Sequence, residues 1–347
     1  MQNASEPLVA TTVTGTGSYV PDTCVSSTEM EARLGLHDGW IFERTGVLER
    51  RVASPTQATS DLATIAATHA LTSAGVSATD IGLIIVGTST PDSPLPSTAC
   101  IVQAQLGAAA AVAMDIDAVC TGFVYALDVA RKMMQGDPEL DHALVIGADV
   151  YSRILDYTDR RTSVLFGDGA GAVVLSRSNA GAAISHSKLG SDGTLSDYVG
   201  IVGGGSRRPL TPDRLSDGEQ FFRMNGRAVR DFVHDRLPQM IHEALDARGL
   251  VAADIDLFVP HQANVRILEE VSKHLGFAHD QLAITADRFG NTGAASIPIT
   301  LDYVVRQGGL EQWRQSPARR IRRRHDMGLD PARMAGIPSS RTVDHGR

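Results

Sequence analysis

The sequence predicts an α/β fold in which strands and helices alternate and stack in layers around a mainly parallel sheet. Three observations lead to this prediction. Apolar runs of strand length alternate with longer runs of helical period, and polar residues follow directly after the strand-length runs. The length of 347 residues, with 43% apolar composition, suits two domains or one large two-part domain.

The first half of the chain carries four apolar runs of strand length. They span residues 80–89, 112–119, 142–149 and 169–176. Segments with helical periodicity precede and separate these runs, at 60–75, 98–107 and 121–136. Gly75 stands where the first of these helices should end, a position that glycine favours because it adopts the left-handed conformation without strain.

The second half repeats this strand-turn-helix pattern. Residues 225–249 predict a long amphipathic helix, bent near Pro238, and residues 254–264 predict a strand followed by a turn. Two further helices are expected at 265–276 and 292–308. The segment 191–220 is rich in Gly, Ser, Asp and Pro, which indicates a loop that could control substrate access.

These patterns divide the chain into three parts. We expect an N-terminal half at 1–178 that carries a nucleophile and a C-terminal half at 179–313. The tail at 314–347 is arginine-rich at its start and lacks an apolar period, so we expect it to be poorly ordered and solvated. An acidic binding partner for this tail is the alternative.

Composition limits the possible functions. A formal net charge of -8 argues against a nucleic-acid-binding body. Three cysteines, with no CxxC, indicate reduced thiols and a cytoplasmic location. The N-terminus shows no signal-peptide pattern, and no run approaches the roughly 20 apolar residues of a membrane span.

Cys120 lies between an apolar strand and a helical run, in "DAVCTGFVYAL". Backbone N–H groups and the dipole at a helix N-terminus favour a thiolate, so this position predicts a reactive cysteine. Gly122 allows a substrate or another segment to approach closely. A buried, inert cysteine is the alternative.

Two later turns carry amide and imidazole groups. His261 follows a strand-like run that Pro260 ends, and Asn291 lies between Gly290 and Gly293. A structural histidine and a plain turn asparagine are the ordinary alternatives. Ligands of α/β sheets bind where strands end, so we expect the cysteine, histidine and asparagine to meet. A nucleophile facing two side-chain donors suits acyl transfer through a thioester, with stabilisation of an oxyanion or enolate.

The sequence resembles a β-ketoacyl-acyl carrier protein synthase III, a condensing enzyme of the thiolase superfamily. The resemblance runs over roughly residues 10 to 308 and rests on six motifs in register. They are DAVCTGF (117–123), PHQANVRI (260–267), GNTGAASIP (290–298), FGDGAGAVVL (166–175), GWIFERTGVLERR (39–51) and DYTDRRTSV (156–164). The resemblance implies a thiolase-like layered fold of two similar βα halves, with mixed sheets around buried helices.

The resemblance also implies a catalytic role for three residues. Cys120 would take an acyl group from acyl-CoA, and malonyl-acyl carrier protein would then enter. His261 and Asn291 would hold the malonyl thioester oxygen while CO2 leaves, and the carbanion would attack the acyl group to give a 3-oxoacyl product. The implied class is an acyltransferase of fatty acid or polyketide biosynthesis, with no cofactor beyond these substrates.

Further residues receive binding roles from the same resemblance. Trp40 would stack on the CoA adenine, and Arg44 and Arg160 would meet its phosphates. Asn264 and Gly226 would line the pantetheine tunnel. The implied partners are acyl-CoA, acyl carrier protein and a second copy of the chain in a homodimer, with no nucleic acid and no membrane. The glycines after Phe166 are expected to form a structural turn.

The sequence departs from the family pattern in the substrate channel. Leu95 stands where some members place phenylalanine at the end of the acyl pocket, so a longer or branched primer is expected to fit. Arg230 stands where an aromatic residue lines the tunnel mouth. Both departures favour a specialised primer, as in a polyketide starter-unit ketosynthase or acyltransferase.

A third departure lies at the C-terminus. Members end with a loop of the form GFGGG-x-x-WG, and nothing after residue 308 matches it. This loop supplies a second oxyanion donor, and losing one such donor typically costs about 10²–10³ in rate. A shifted reading frame near residue 313 is one hypothesis for the abrupt change. A catalytically silent partner subunit is therefore the second alternative function.

Overall fold

The computed structural model describes residues 10–178 and 182–308. The strands in these residues are β1 (Thr11–Tyr19), β2 (Thr23–Ser26), β3 (Glu49–Val52), β4 (Leu83–Gly87), β5 (Val112–Ile116), β6 (His142–Asp149), β7 (Gly169–Arg177), β8 (Ala182–Ala183), β9 (Val199–Ile201) and β10 (Phe222–Met224). The α-helices are α1 (Ser27–Leu34), α2 (Trp40–Thr45), α3 (Thr59–Ala74), α4 (Thr98–Leu106), α5 (Gly122–Gly136), α6 (Pro212–Ser216), α7 (Gly226–Asp246), α8 (Val265–His274), α9 (Ala286–Phe289) and α10 (Ser296–Arg306).

Six strands form the central sheet, in the order β5-β4-β6-β7-β1-β8. β4 pairs in parallel with β5 and β6, whereas β6–β7, β7–β1 and β1–β8 are antiparallel. The prediction of a mainly parallel sheet is therefore wrong, and the mixed sheet that the family resemblance implied is present. Apolar runs do not reveal strand direction, because buried strands of either direction look alike in sequence.

Helices cover both faces of this sheet. Along β4, Ile84 and Val86 pack with α3 and α4, while Leu83 and Ile85 pack with α5. This alternation follows from the two-residue period of a strand. Gly17 in β1 lets α3 approach, since a Cβ there would lie 2.3 Å from a backbone nitrogen of that helix. The sheet is thus the middle layer of three.

The second half departs from its prediction at one strand. Residues 254–264 do not form a strand, and Phe258 makes only an isolated bridge to Leu282. A strand requires a ladder of hydrogen bonds to a neighbour, and the described residues provide this single partner. The long helix is present as α7, with Pro238 buried inside it.

The predicted loop at 191–220 is largely exposed and includes α6 and the short β9. No helix among residues 10–178 and 182–308 is long and apolar enough to cross a membrane. The boundary at 178/179 stays a prediction, although β8 still pairs with β1 beyond it. The arginine-rich tail lies outside the described residues. So does the part of the chain where the Gly-rich loop of the family would be expected.

Candidate active site

Cys120 lies in a single 3-10 turn, Val119–Thr121, between β5 and α5. Val119 has a φ of 48°, a left-handed conformation that is strained for a β-branched residue. The start of α5 contacts the end of β4, because a Cβ on Gly122 would lie 3.2 Å from the Gly87 Cα. The chain therefore presents the thiol at the edge of the central sheet.

The environment of the Cys120 thiol corrects one expectation. Burial, followed by the nearby Asp149 carboxylate, raises the pKa of the thiol to about 12, while the Tyr151 hydroxyl acts in the opposite direction. The helix N-terminus does not lower the pKa as predicted, because desolvation of the anion outweighs it. The resting residue is therefore a thiol, and Cys120 as a whole residue is half-buried.

Asp149, at the end of β6, joins the two halves of the chain. Its Oδ1 accepts hydrogen bonds from Thr88 Oγ1 at 3.2 Å, Ser89 N at 2.8 Å and Thr90 Oγ1 at 2.9 Å. Its Oδ2 accepts one from Ala294 N at 2.8 Å. Burial raises the pKa of this carboxyl to about 7, against the lowering effect of the four donors. The turn after Asn291 is thereby held against the sheet that leads to Cys120.

Asn291 is buried, with 5% of its surface exposed. Its backbone N donates to Leu165 O at 2.8 Å, and its O accepts from Gly167 N at 3.0 Å. Its Oδ1 accepts from Gly293 N at 2.9 Å, which orients the amide so that Nδ2 is the free donor. The FGDG segment thus fixes the backbone of the asparagine, in agreement with the structural role expected for it.

His261 is positioned from the first turn of α10. Its Nδ1 lies 2.7 Å from Ser296 Oγ, which also accepts from Gln262 N at 3.3 Å. Burial lowers the pKa of the imidazole to about 4, so the ring is neutral near pH 7. Gln262 is structural, since its Oε1 accepts from Thr285 N at 2.9 Å and its Nε2 donates to Pro260 O at 2.9 Å.

The turns of Cys120 and Asn291 meet at the sheet edge, and His261 is attached to the same C-terminal segment through Ser296. A Cβ on Gly122, next to the Cys120 turn, would lie 3.4 Å from the Ala294 Cβ. Gly293 has a φ of 59°, and a Cβ there would clash with Asp149 Oδ2 at 2.2 Å. Only glycine fits at this position, where the second half approaches the first.

Trp40 and two arginines form a separate group on the surface. Arg44 lies over the Trp40 ring at 4.3 Å from its centroid, and Arg160 lies at 5.7 Å. The buried Glu31 holds the helix that carries Trp40, because its carboxylate accepts from Gly39 N at 3.0 Å and Ile41 N at 2.7 Å. A flat ring with two cations suits an aromatic ligand that carries phosphates.

The remaining candidate binding residues are exposed or half-buried. Asn264 caps α8, with its Oδ1 accepting from Arg266 N at 2.9 Å, and Gly226 begins α7. Arg230 is exposed and pairs with Glu270 at 3.4 Å. Leu95 is 85% exposed.

Sequence reasoning missed three residues that shape the site: Asp149, Ser296 and Glu31. Asp149 lies directly at the end of a predicted strand, which was an available signal. Ser296 lies within the GNTGAASIP motif itself, five residues after Asn291. Glu31 gave no signal, because its partners at 39 and 41 are backbone groups.

Comparison with known families matches both halves of this site. Residues 114–193 match the family model of 3-oxoacyl-[acyl-carrier-protein] synthase III, and residues 245–315 match the model of its C-terminal part. The chain is 48% identical over 301 residues to Acetoacetyl CoA synthase NphT7 of Streptomyces sp. (strain CL190), covering 86% of this chain and 91% of the relative. A β-ketoacyl-[acyl-carrier-protein] synthase III of Caldanaerobacter subterraneus is 44% identical over 304 residues, with coverages of 88% and 92%.

Solved structures agree. The synthase III of Aquifex aeolicus VF5 superposes with a TM-score of 0.79 at 36% identity, covering 86% of this chain and 91% of the other. The priming β-ketosynthase of the R1128 polyketide pathway superposes with a TM-score of 0.77 at 30% identity, with coverages of 88% and 91%. The fold is therefore the thiolase-like fold of condensing enzymes, and the function is acyl transfer. This chain belongs to the 3-oxoacyl-[acyl-carrier-protein] synthase III family.

Proposed function

We propose that Cys120, His261 and Asn291 condense an acyl-CoA primer with a malonyl thioester. The observation that carries this proposal is the position of the Asn291 turn. It is tied to Asp149 through Ala294 N at 2.8 Å, beside the turn of Cys120. One nucleophile and two side-chain donors then share one site.

The first step is thioester exchange. The Cys120 sulfur attacks the carbonyl carbon of acyl-CoA, a new S–C bond forms, and the bond to the CoA sulfur breaks. The thiol proton leaves with the CoA thiolate, so no net charge stays in the pocket. Because burial raises the pKa of this thiol, its proton must be transferred as the sulfur attacks, so that the sulfur reacts with thiolate character.

The second step needs two donors on one oxygen. Ser296 Oγ accepts from Gln262 N and lies 2.7 Å from His261 Nδ1, so we assign its own hydrogen to Nδ1. This fixes the tautomer that carries hydrogen on Nε2, which becomes a donor beside Asn291 Nδ2. When the malonyl carboxylate leaves as CO2, both donors stabilise the enolate oxygen. The enolate carbon then attacks the carbonyl carbon of acyl-Cys120, so a C–C bond forms and the bond to the Cys120 sulfur breaks. The 3-oxoacyl thioester is released, and the Cys120 thiolate takes up a proton from solvent.

The CoA nucleotide belongs at Trp40, with Arg44 and Arg160 for its phosphates. Asn264, Gly226 and Arg230 lie at the starts of α7 and α8, and we place the pantetheine arm between them and Arg44. One contact supports this path: Asn264 Nδ2 donates to Arg44 O at 3.4 Å, so the two groups are adjacent.

The partners we propose are acyl carrier protein and a second copy of the chain, in the cytoplasm. The edge strand β5 pairs only with β4 in the sheet, and all five of its residues keep some exposure. Unpaired edge groups favour pairing with another strand, and Leu95 is exposed. These features support a homodimer formed across β5.

A second candidate differs in the malonyl carrier. The relative with 48% identity is named for a CoA thioester product, acetoacetyl CoA. The acceptor would then be malonyl-CoA. Parallel assays with malonyl-CoA and malonyl-acyl carrier protein distinguish the two.

The decisive experiment measures the intact mass of the protein after incubation with a panel of acyl-CoA thioesters. We expect an acyl adduct on the native chain and none on Cys120→Ala. Addition of the malonyl thioester should then release a 3-oxoacyl product. If no Cys120-dependent adduct forms with any thioester, the silent-subunit alternative is favoured.

A further inference from the structure

Two buried hydroxyls near Asp149 make no hydrogen bond of good geometry. Tyr151 is fully buried, at 0% exposure, and its Oη makes no hydrogen bond. The Ser89 Oγ is also buried without a partner. Buried polar groups are almost always satisfied, so two orphans next to a nucleophile call for an explanation.

The groups around these two hydroxyls do not form hydrogen bonds of good geometry with them. Asp149 already accepts from Thr88, Ser89 N, Thr90 and Ala294 N. The Tyr151 ring stacks on the apolar ring of Phe166, with 4.4 Å between the ring centroids. The two hydroxyls affect each other, because Ser89 lowers the pKa of Tyr151, but they form no hydrogen bond of good geometry.

The pair lies inside the reaction site. The Tyr151 hydroxyl lowers the pKa of the Cys120 thiol as a hydrogen-bonding neighbour, and burial, followed by the charge of a Cys120 thiolate, raises the pKa of Tyr151. The ring also packs beneath the asparagine turn, since a Cβ on Gly293 would lie 2.5 Å from Tyr151 Cε2. An acyl group on the Cys120 sulfur would therefore be next to these hydroxyls.

The surroundings restrict what can reach them. Phe166, Phe222 and Leu155 are buried around Tyr151 and fill the space behind its ring, which favours a short chain. The adjacent Asp149 carboxyl disfavours a negatively charged group. A neutral oxygen that accepts hydrogen bonds is the matching chemistry.

We propose that the Tyr151 and Ser89 hydroxyls bind a hydroxyl or keto oxygen on the acyl chain of a short primer. They act as specificity-determining residues that favour such a primer over a hydrocarbon of the same size. This inference rests on the proposed acylation of Cys120 and names the substrate class for it. Leu95 would then have no part in selecting a long chain.

The test compares two thioesters of equal shape, 3-hydroxybutanoyl-CoA and 3-methylbutanoyl-CoA, which differ by a hydroxyl in place of a methyl group. The initial rate of Cys120 acylation is followed by intact mass, with 3-oxobutanoyl-CoA as a third arm to separate keto from hydroxyl recognition. We expect the native enzyme to favour an oxygen-bearing thioester by ~10-fold, the value of about one good hydrogen bond. In Tyr151→Phe the ratio should fall towards one.

Two further variants keep the test decisive. Ser89→Ala should lower the same ratio if Tyr151→Phe does not fold, and Tyr303→Phe, on the outer part of α10, should leave it unchanged. A native ratio of one or less, or equal slowing of all three thioesters in Tyr151→Phe, overturns the inference. Equal slowing would mean that the hydroxyl acts on the thiol. Absence of any adduct would instead remove the proposed function itself.

Discussion

The two sides of the site differ in how deeply their supporting elements are buried. Cys120 follows β5 and opens α5, within a sheet whose strands β4, β6 and β7 are almost wholly buried. The C-terminal region is less evenly buried: α7 buries only Pro238 and Leu245 among its 21 residues, whereas the turn that carries Asn291 is itself buried. The Asn291 turn is therefore positioned by hydrogen bonds to the N-terminal region, which come from Asp149 and from residues 165–167. Rigid support for a catalytic donor can come from another part of the chain.

The substitution Asn291→Asp is expected to have the largest effect, because it acts on one side of the site alone. The aspartate keeps the size and the acceptor for Gly293 N but removes both Nδ2 hydrogens. We expect decarboxylation to fall by about 10²–10³, the usual loss for one oxyanion donor. Acylation of Cys120 should remain, because it does not use this donor. Decarboxylation is measured as release of labelled CO2 and acylation as intact mass, and equal loss in both would contradict the assignment.

Asp149→Asn tests the link between the two sides. An amide cannot accept all four hydrogen bonds, so we expect a loss of about 1–3 kcal/mol in the free energy of unfolding and slower decarboxylation. Asp302→Asn is the matched control: it is equally buried and accepts from Thr16 at 2.8 Å, but lies away from Cys120. It should lose stability without a selective loss of decarboxylation.

The native chain and the Asp149→Asn variant also allow a test of how stability depends on pH. The folded pKa of Asp149 is about 7, above the usual 3.8, so its protonated form contributes stability below pH 3.8 that is lost as pH rises through 7. The stability advantage of the native chain over Asp149→Asn should shrink across this window, by at most roughly 1.4 kcal/mol per pH unit. Chemical denaturation at several pH values measures it. An advantage that grows with pH would contradict the raised pKa.

Ser296→Ala sharpens the comparison at the histidine. Loss of the hydroxyl frees His261 Nδ1 and allows the other tautomer, so we expect a decrease of ~10-fold in decarboxylation. Ser296→Thr retains the hydroxyl and should recover part of the rate. The tautomer is measured by nitrogen NMR of labelled histidine, and an unchanged tautomer with a lowered rate would point to packing instead.

Glu31→Gln should have the smallest effect. One of the two backbone N–H groups at the start of α2 would face an amide NH2, which loosens Trp40. We expect KM for acetyl-CoA to rise about threefold, within the usual range for a weakened hydrogen bond. The N-acetylcysteamine thioester lacks the nucleotide, so its KM should be unaffected. The matched control Glu29→Gln, an exposed residue of the same helix as Glu31, should leave the KM for acetyl-CoA unchanged. A rise for both thioesters would remove Glu31 from the CoA site.

Local patterns could be read from the sequence where local forces decide. The buried runs became β4, β6 and β7. The catalytic roles that the motifs indicate for Cys120, His261 and Asn291 stay predictions. Strand direction was misjudged, because it depends on connections and not on residue type. The raised pKa of Cys120 was missed because burial is a tertiary effect. The role of Asp149 was also missed, because its partners lie 59 to 145 residues away.

The left-handed conformation of Val119, next to Cys120, has a consequence for thermal stability. Such a conformation persists only while the surrounding packing enforces it, so it relaxes at the first loosening of that packing. Warming should then inactivate the enzyme several degrees before its helices melt, and circular dichroism would still report an intact fold in a protein that no longer reacts.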